Sequence, residues 1–253
     1  MYLSIVTTSF NSSKTIAKFF EEINNVVLKL NISEYEIIIV DDGSKDETVE
    51  ILKKIKKDLN NIRIISLSKN YGHHKALMTG LNEANGQYIL IIDSDLEEDP
   101  LNLERFFNEI ENFDFVYGIQ EKRSAGLITN FFGNIFYRFF NFISSAKIPE
   151  NLTTMTLMTK KVKEELAQFK EKEIFFHGIL HTIGFTKKGI LISKTFKGKT
   201  EYTFSKKLNL FFDAITSFSG LPLKIFFYSG LIISSLSALY ALYLIFGYVT
   251  FKI

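Results

Sequence analysis

Five carboxylates fall within seven positions, at Asp93, Asp95, Glu97, Glu98 and Asp99, directly after the apolar run Tyr88-Ile-Leu-Ile-Ile92. Like charges this close repel one another unless a cation or a basic group sits among them. Asp93 and Asp95, two residues apart, can point the same way from an extended segment. Such a pair suits a hard divalent cation held by oxygen, Mg²⁺ or Mn²⁺. The plainer reading is a solvated acidic turn in which Asp99-Pro100 starts a helix. Other polar clusters follow apolar runs in the same manner: Ser9/Asn11, Asp41/Asp42, Asn70/His73, and Gln120 with Lys122 and Arg123. His177 and His181, four apart, have the spacing of half a metal pair. No third ligand stands near them in sequence, which favours a structural role.

The elements that must position these residues are legible from periodicity. Leu3 to Thr8, Glu36 to Val40, Ile62 to Leu67 and Tyr88 to Ile92 are β-type runs. Between them lie helix patterns, one with Ile16, Phe19, Phe20, Ile23, Val26 and Val27 at spacings of three and four. Acids at Asp46 and Glu47 open the second helix, and Asn85-Gly86 reads as the C-cap of the third. The first hundred residues therefore read β-α-β-α-β-α-β, the pattern of a parallel sheet covered by helices. In that layout the polar strand ends share one edge with Asp93 and Asp95, where open α/β sheets bind ligands. Further along, a helix is expected from Leu101 to Ile110 and a strand from Phe113 to Tyr117. Residues 160–183 read as helical and Lys188 to Phe196 as a strand.

Composition narrows the function. The chain has 253 residues and no cysteine, which excludes a disulfide framework, a thiol nucleophile and a zinc–thiolate site. A net charge of +2 gives no footing for nucleic-acid binding. Phe is abundant at 26, and 131–142 is so rich in it that it reads either as a core helix or as a helix lying on a membrane interface. Residues 225–251 carry no charged side chain, a stretch longer than the roughly 20 residues that span a bilayer. This divides the chain into a folded domain, 1–220, and a transmembrane anchor, 221–253. Lys206, Lys207 and Lys224 before the span place the folded domain in the cytoplasm, at the inner membrane. The chain then reads as tail-anchored or as cut short of a second span, and a shared span is compatible with a homo-oligomer.

Four motifs in order carry a family resemblance: Glu36-Ile-Ile-Ile-Val-Asp41-Asp42-Gly43-Ser44, Asn70-Tyr71-Gly72, Gly80 to Gly86, and Asp93-Ser-Asp95-Leu-Glu97-Glu98-Asp99-Pro100. The chain resembles family 2 glycosyltransferases of the GT-A fold, in particular the polyprenyl-phosphate branch that includes dolichol-phosphate mannose synthases. The resemblance implies a nucleotide-sugar donor bound by Thr8, Phe10, Asn11, Asp41, Asp42, Asn70 and Gly72. It implies Mg²⁺ or Mn²⁺ on Asp93, Asp95 and Glu97, with Arg123 joining them in catalysis. Lys122, Arg123, Lys194 and Lys197 become candidate phosphate or acceptor contacts. The sugar would go with inversion to a membrane lipid, polyprenyl phosphate first. Departures at Thr154, Thr156 and 198–202 fall in what the resemblance makes the acceptor half. They keep a second acceptor open, a hydroxyl in surface-polysaccharide assembly, and a catalytically dead scaffold is the third reading.

Overall fold

The structure, a computed structural model, describes residues 2–121, 148–169, 176–195 and 221–251. The long β-branched runs form strands buried on both faces. They are β1 (Tyr2–Ser9), β2 (Glu34–Asp41), β3 (Ile62–Ser66) and β4 (Tyr88–Ile91), joined by helices α1 (Ile16–Lys29), α2 (Thr48–Asp58) and α3 (His73–Glu83). Then come α4 (Asn102–Ile110), β5 (Phe115–Gln120), β6 (Leu152–Thr159), α5 (Lys160–Leu166), α6 (Phe176–Thr182), β7 (Lys187–Ile192) and α7 (Leu221–Phe251).

The strands make one sheet in the order β3-β2-β1-β4-β6-β5-β7. Pairing is parallel throughout except around β6, which runs antiparallel to both β4 and β5. Alternation along each strand divides the core into two layers. Leu3, Ile5, Ile37, Ile39, Leu90, Val116 and Leu157 meet α1, α2 and α4, with Phe19 and Phe106 fully buried among them. Val6, Ile38, Ile89, Ile91, Phe115 and Met158 meet α3, α5 and α6 on the other face. Each such side chain contributes about 1.5–3 kcal/mol by leaving water.

Four expectations need correction, and one run left unassigned is a strand. Residues 160–183 are not one helix: α5 ends at Leu166, α6 begins at Phe176, and 170–175 lie outside the described residues. The run Leu152–Thr159, left unassigned in the sequence, is β6, an interior strand between β4 and β5. Asn85-Gly86 is not a left-handed C-cap. Gly86 is there because a Cβ would stand 2.6 Å from the backbone nitrogen of Ser4. Its N–H donates to Ser4 Oγ at 2.7 Å, and Ser4 Oγ donates to Glu36 Oε1 at 2.6 Å. The expected strand at 113–117 starts two residues later, at Phe115, and runs on to Gln120. The strand expected from Lys188 to Phe196 is β7, ending at Ile192, with Phe196 outside the described residues. The interface stretch 131–142 also lies outside them.

α7 contains 28 residues, Leu223–Thr250, long and apolar enough to cross a membrane, and none of the span is buried. On the sheet, α3 lies close because Gly80 has no side chain. A Cβ there would meet Val6 Cγ1 at 2.7 Å and Val40 Cγ2 at 3.0 Å. Gly80→Ala should therefore lose about 1–3 kcal/mol by overpacking, despite the better helix propensity of Ala, as read from chemical denaturation of the purified chain.

Candidate active site at the carboxyl edge of the sheet

The loops after β1 and β2 are knitted together by the polar residues that the sequence marks. Asp41, only 1% exposed, accepts from Ser9 Oγ at 3.2 Å and from the Ser44 N–H at 3.0 Å. Asp42 accepts from the N–H groups of Tyr71 (2.7 Å) and Gly72 (2.9 Å), drawing the loop before α3 onto the loop after β2. Gly43 sits at φ +73, and a Cβ on it would come within 2.6 Å of the Lys69 carbonyl carbon. Asn11, at φ +51, donates its N–H to Ser44 Oγ and accepts from the Lys45 N–H through Oδ1. Asn11, Asp41 and Asp42, expected at the donor, thus spend these bonds on loop shape. Phe10 (40% exposed), Tyr71 (46%) and Asn70 stand open on the same rim.

The acidic turn folds back on itself beside them. Leu96 is left-handed at φ +60, which is strained for a branched side chain and held because Leu96 packs against the core. That bend lets Asp95 Oδ1 accept from the Glu97 N–H at 2.9 Å. Asp93 Oδ2 accepts from Thr154 Oγ1 at 2.6 Å, and Asp93 Oδ1 lies 3.7 Å from His73 Nε2. His73 Nδ1 is 3.0 Å from Thr8 Oγ1, and Ser94 Oγ donates to the Thr8 carbonyl at 2.7 Å. Asp99 Oδ1 accepts from the Leu101 N–H, closing a turn ahead of α4, which begins at Asn102.

The chain after β7 lies along this turn. Lys194 Nζ is 3.0 Å from Glu97 Oε2, Lys194 bridges to Glu98, and the Thr195 N–H donates to the Glu97 carbonyl at 2.8 Å. Burial would lower the Lys194 pKa, but Glu98, the bond to Glu97, and Asp93 outweigh it and raise it. Glu98 is 1% exposed. Burial and then Asp93 hold its carboxyl well above the usual carboxylate range. Asp95 reaches solvent on one side, yet partial desolvation and then Asp93 raise its pKa too. Lys194 therefore stands where an acceptor contact was expected but neutralises the acidic turn. Among the described residues no three His, Asp or Glu side chains form a metal-holding group, and Glu97 is turned to Lys194 rather than to Asp93 and Asp95. The expected trio is not assembled. Lys122, Arg123 and Lys197 lie outside the described residues.

The family described as glycosyl transferase family 2 matches residues 4–167. The chain belongs to that family. It is 34% identical to an uncharacterized glycosyltransferase of Synechocystis, over 98% of this chain and 79% of that one. It is 32% identical to the prophage bactoprenol glucosyl transferase homolog of Escherichia coli K12, over 99% of this chain and 83% of that one. Glucosyl-3-phosphoglycerate synthase of Mycobacterium tuberculosis, solved with Mn²⁺, UDP and phosphoglyceric acid, superposes with a TM-score of 0.57 at 16% identity, over 82% of this chain and 73% of that one. The share of a solved structure's length that this chain spans runs from 36% to 79%. The fold of this glycosyltransferase is GT-A, and its expected α/β class holds.

The four histidines of this glycosyltransferase lie on α3 and α6. His73 and His74 meet edge to face at 5.4 Å, and His181 lies edge-on to Tyr117 (4.8 Å) and Phe115 (5.7 Å). Burial pushes His74, His177 and His181 each down to about 3. His177 and His181 both lie on α6, and His181 packs against Phe115 and Tyr117. An unfolded histidine takes its proton near pH 6.5, whereas these do so only near 3. Their contribution is complete above pH 6.5 and is lost as pH falls from there toward 3. His181 has no hydrogen bond at either ring nitrogen, so Phe fits its aromatic surroundings. His181→Phe should keep the fold and reduce the loss of stability below pH 6.5 by about 1.4 kcal/mol per pH unit, measured by denaturation at a series of pH values.

Proposed function

We propose that this glycosyltransferase moves a sugar, with inversion, from a nucleoside-diphosphate donor to a membrane lipid acceptor, polyprenyl phosphate. The observation that carries the donor half is the placement of Asp93 and Asp95 at the carboxyl edge, where the β1, β2 and β3 loops converge. Burial and then the neighbouring Asp93 charge raise the proton affinity of Asp95, a cost that a cation between them would relieve. Their oxygens suit Mg²⁺ or Mn²⁺, and two protein carboxylates with substrate phosphate oxygens are a sufficient set for such an ion. Asp93 and Asp95 would hold it. When bound it would offset the negative charge that grows on the departing nucleoside diphosphate. Glu97 keeps Lys194 beside that charge, and the exposed rings of Phe10 and Tyr71 offer apolar surface for the donor.

Support for the acceptor comes from the bactoprenol glucosyl transferase relatives and from the apolar helix α7. The chemistry agrees. A phosphate oxygen arrives ionised, attacks the anomeric carbon and needs no base, whereas a hydroxyl must lose a proton. The β6 residue at the site, Thr154, cannot act as that base. Lys224 and the lysines before it favour the catalytic domain on the cytoplasmic side.

Membranes containing the protein, given labelled nucleotide-sugars and undecaprenyl phosphate, should form a labelled lipid only with Mg²⁺ or Mn²⁺ present. Asp95→Ala should lower that rate at least about a hundredfold with an unchanged melting temperature. Transfer to a glycan hydroxyl in place of the lipid would replace this reading, and undiminished turnover by Asp95→Ala would remove the metal assignment.

A further inference from the structure

The antiparallel strand β6 meets the acidic turn at one residue. The β4–β6 register runs Tyr88↔Thr159 to Ile91↔Thr156. Carrying it two residues further places Asp93 opposite Thr154. Directly opposed residues of an antiparallel pair share a face, within side-chain reach. On its other side β6 pairs Tyr117 with Thr156 but Ile119 with Leu152, so β6 advances four residues while β5 advances two. Residues 153–155 therefore bulge out of the β5 ladder. A bulge of this kind re-aims side chains and frees backbone groups, commonly beside active sites. Both effects are present. Thr154 Oγ1 donates to Asp93 Oδ2 at 2.6 Å, and the Thr154 N–H donates to Glu98 Oε1 at 2.8 Å. Gly118 makes room for the bulge, since a Cβ there would stand 2.3 Å from Thr153 Oγ1.

We infer that Thr154 is a positioning residue for the donor site. Through its hydroxyl it fixes the rotation of the Asp93 carboxylate, and through its backbone it anchors the far end of the acidic turn at Glu98. This rests on the proposed reading of Asp93 as a metal-holding carboxylate. A hydroxyl that orients a ligating carboxylate commonly sets metal affinity as strongly as it sets turnover. The sequence offers the residue no motif of its own; only the strand register and the bulge bring it to Asp93.

The test measures Mn²⁺ binding to the full chain in detergent by electron paramagnetic resonance, with UDP and with GDP. Wild type, Thr154→Val, Thr154→Ala, Thr154→Ser and Asp93→Ala are compared, each with its melting temperature. Thr154→Val and Thr154→Ala should bind Mn²⁺ about tenfold or more weakly, whereas Thr154→Ser, which keeps the donor, should stay near wild type. Equal weakening by Ser and Val, or wild-type affinity in the folded Val and Ala variants, overturns the inference. If Asp93→Ala binds as wild type does, or wild type binds no Mn²⁺ with either nucleotide, the metal reading itself falls and the inference with it.

Discussion

Negative charge crowded at the end of a buried strand is the constraint on which the rest of this structure depends. β4 delivers Asp93, Asp95, Glu97 and Glu98 into a space where burial and then the Asp93 charge raise the proton affinity of Asp95 and Glu98. Each neighbouring segment answers that charge with a different group. The segment after β7 supplies Lys194, α3 supplies His73, and β6 supplies the hydroxyl and N–H of Thr154. The strained backbone of Leu96 persists because these groups and the core hold the turn from all sides.

The same groups explain a division of labour along the edge. Asp41, Asp42 and Asn11 use their hydrogen bonds to fix loop against loop. The rim left exposed is aromatic, with Phe10 and Tyr71. Buried carboxylates that accept backbone N–H groups make a rigid frame. A donor would meet preset loops instead of ordering them as it binds, so less of its binding energy is consumed in ordering.

Much of this was legible in the residues themselves. The β-α-β-α-β-α-β order of the first hundred residues, the shared edge and the acidic turn all follow from apolar runs ending in polar clusters. β6 did not. Leu-Thr-Thr-Met-Thr-Leu-Met-Thr is buried on both sides, and its threonines hide the apolar alternation on which such readings rely. Missing β6 also hid the contact of Thr154 with Asp93. The role of Lys194 was half visible: its charge and nearness to phosphates could be read, but its pairing with Glu97 depends on a bridge between segments almost a hundred residues apart. The helical reading of 160–183 failed for a related reason. Lys160–Leu166 and Phe176–Thr182 are each apolar on the face toward the same layer, so their periodicities merge on paper.

Thr195, the last described residue before α7, lies at the very edge where the acidic turn lies. Residues 196–220 lie between Thr195 and α7, and 25 residues fully stretched reach at most about 90 Å. Under the proposed function, α7 would lie in a bilayer and tether the carboxyl edge to it. On that reading, an acceptor dissolved in a bilayer around α7 would be searched for in two dimensions, at an effective concentration set by the tether instead of by the volume of the cell.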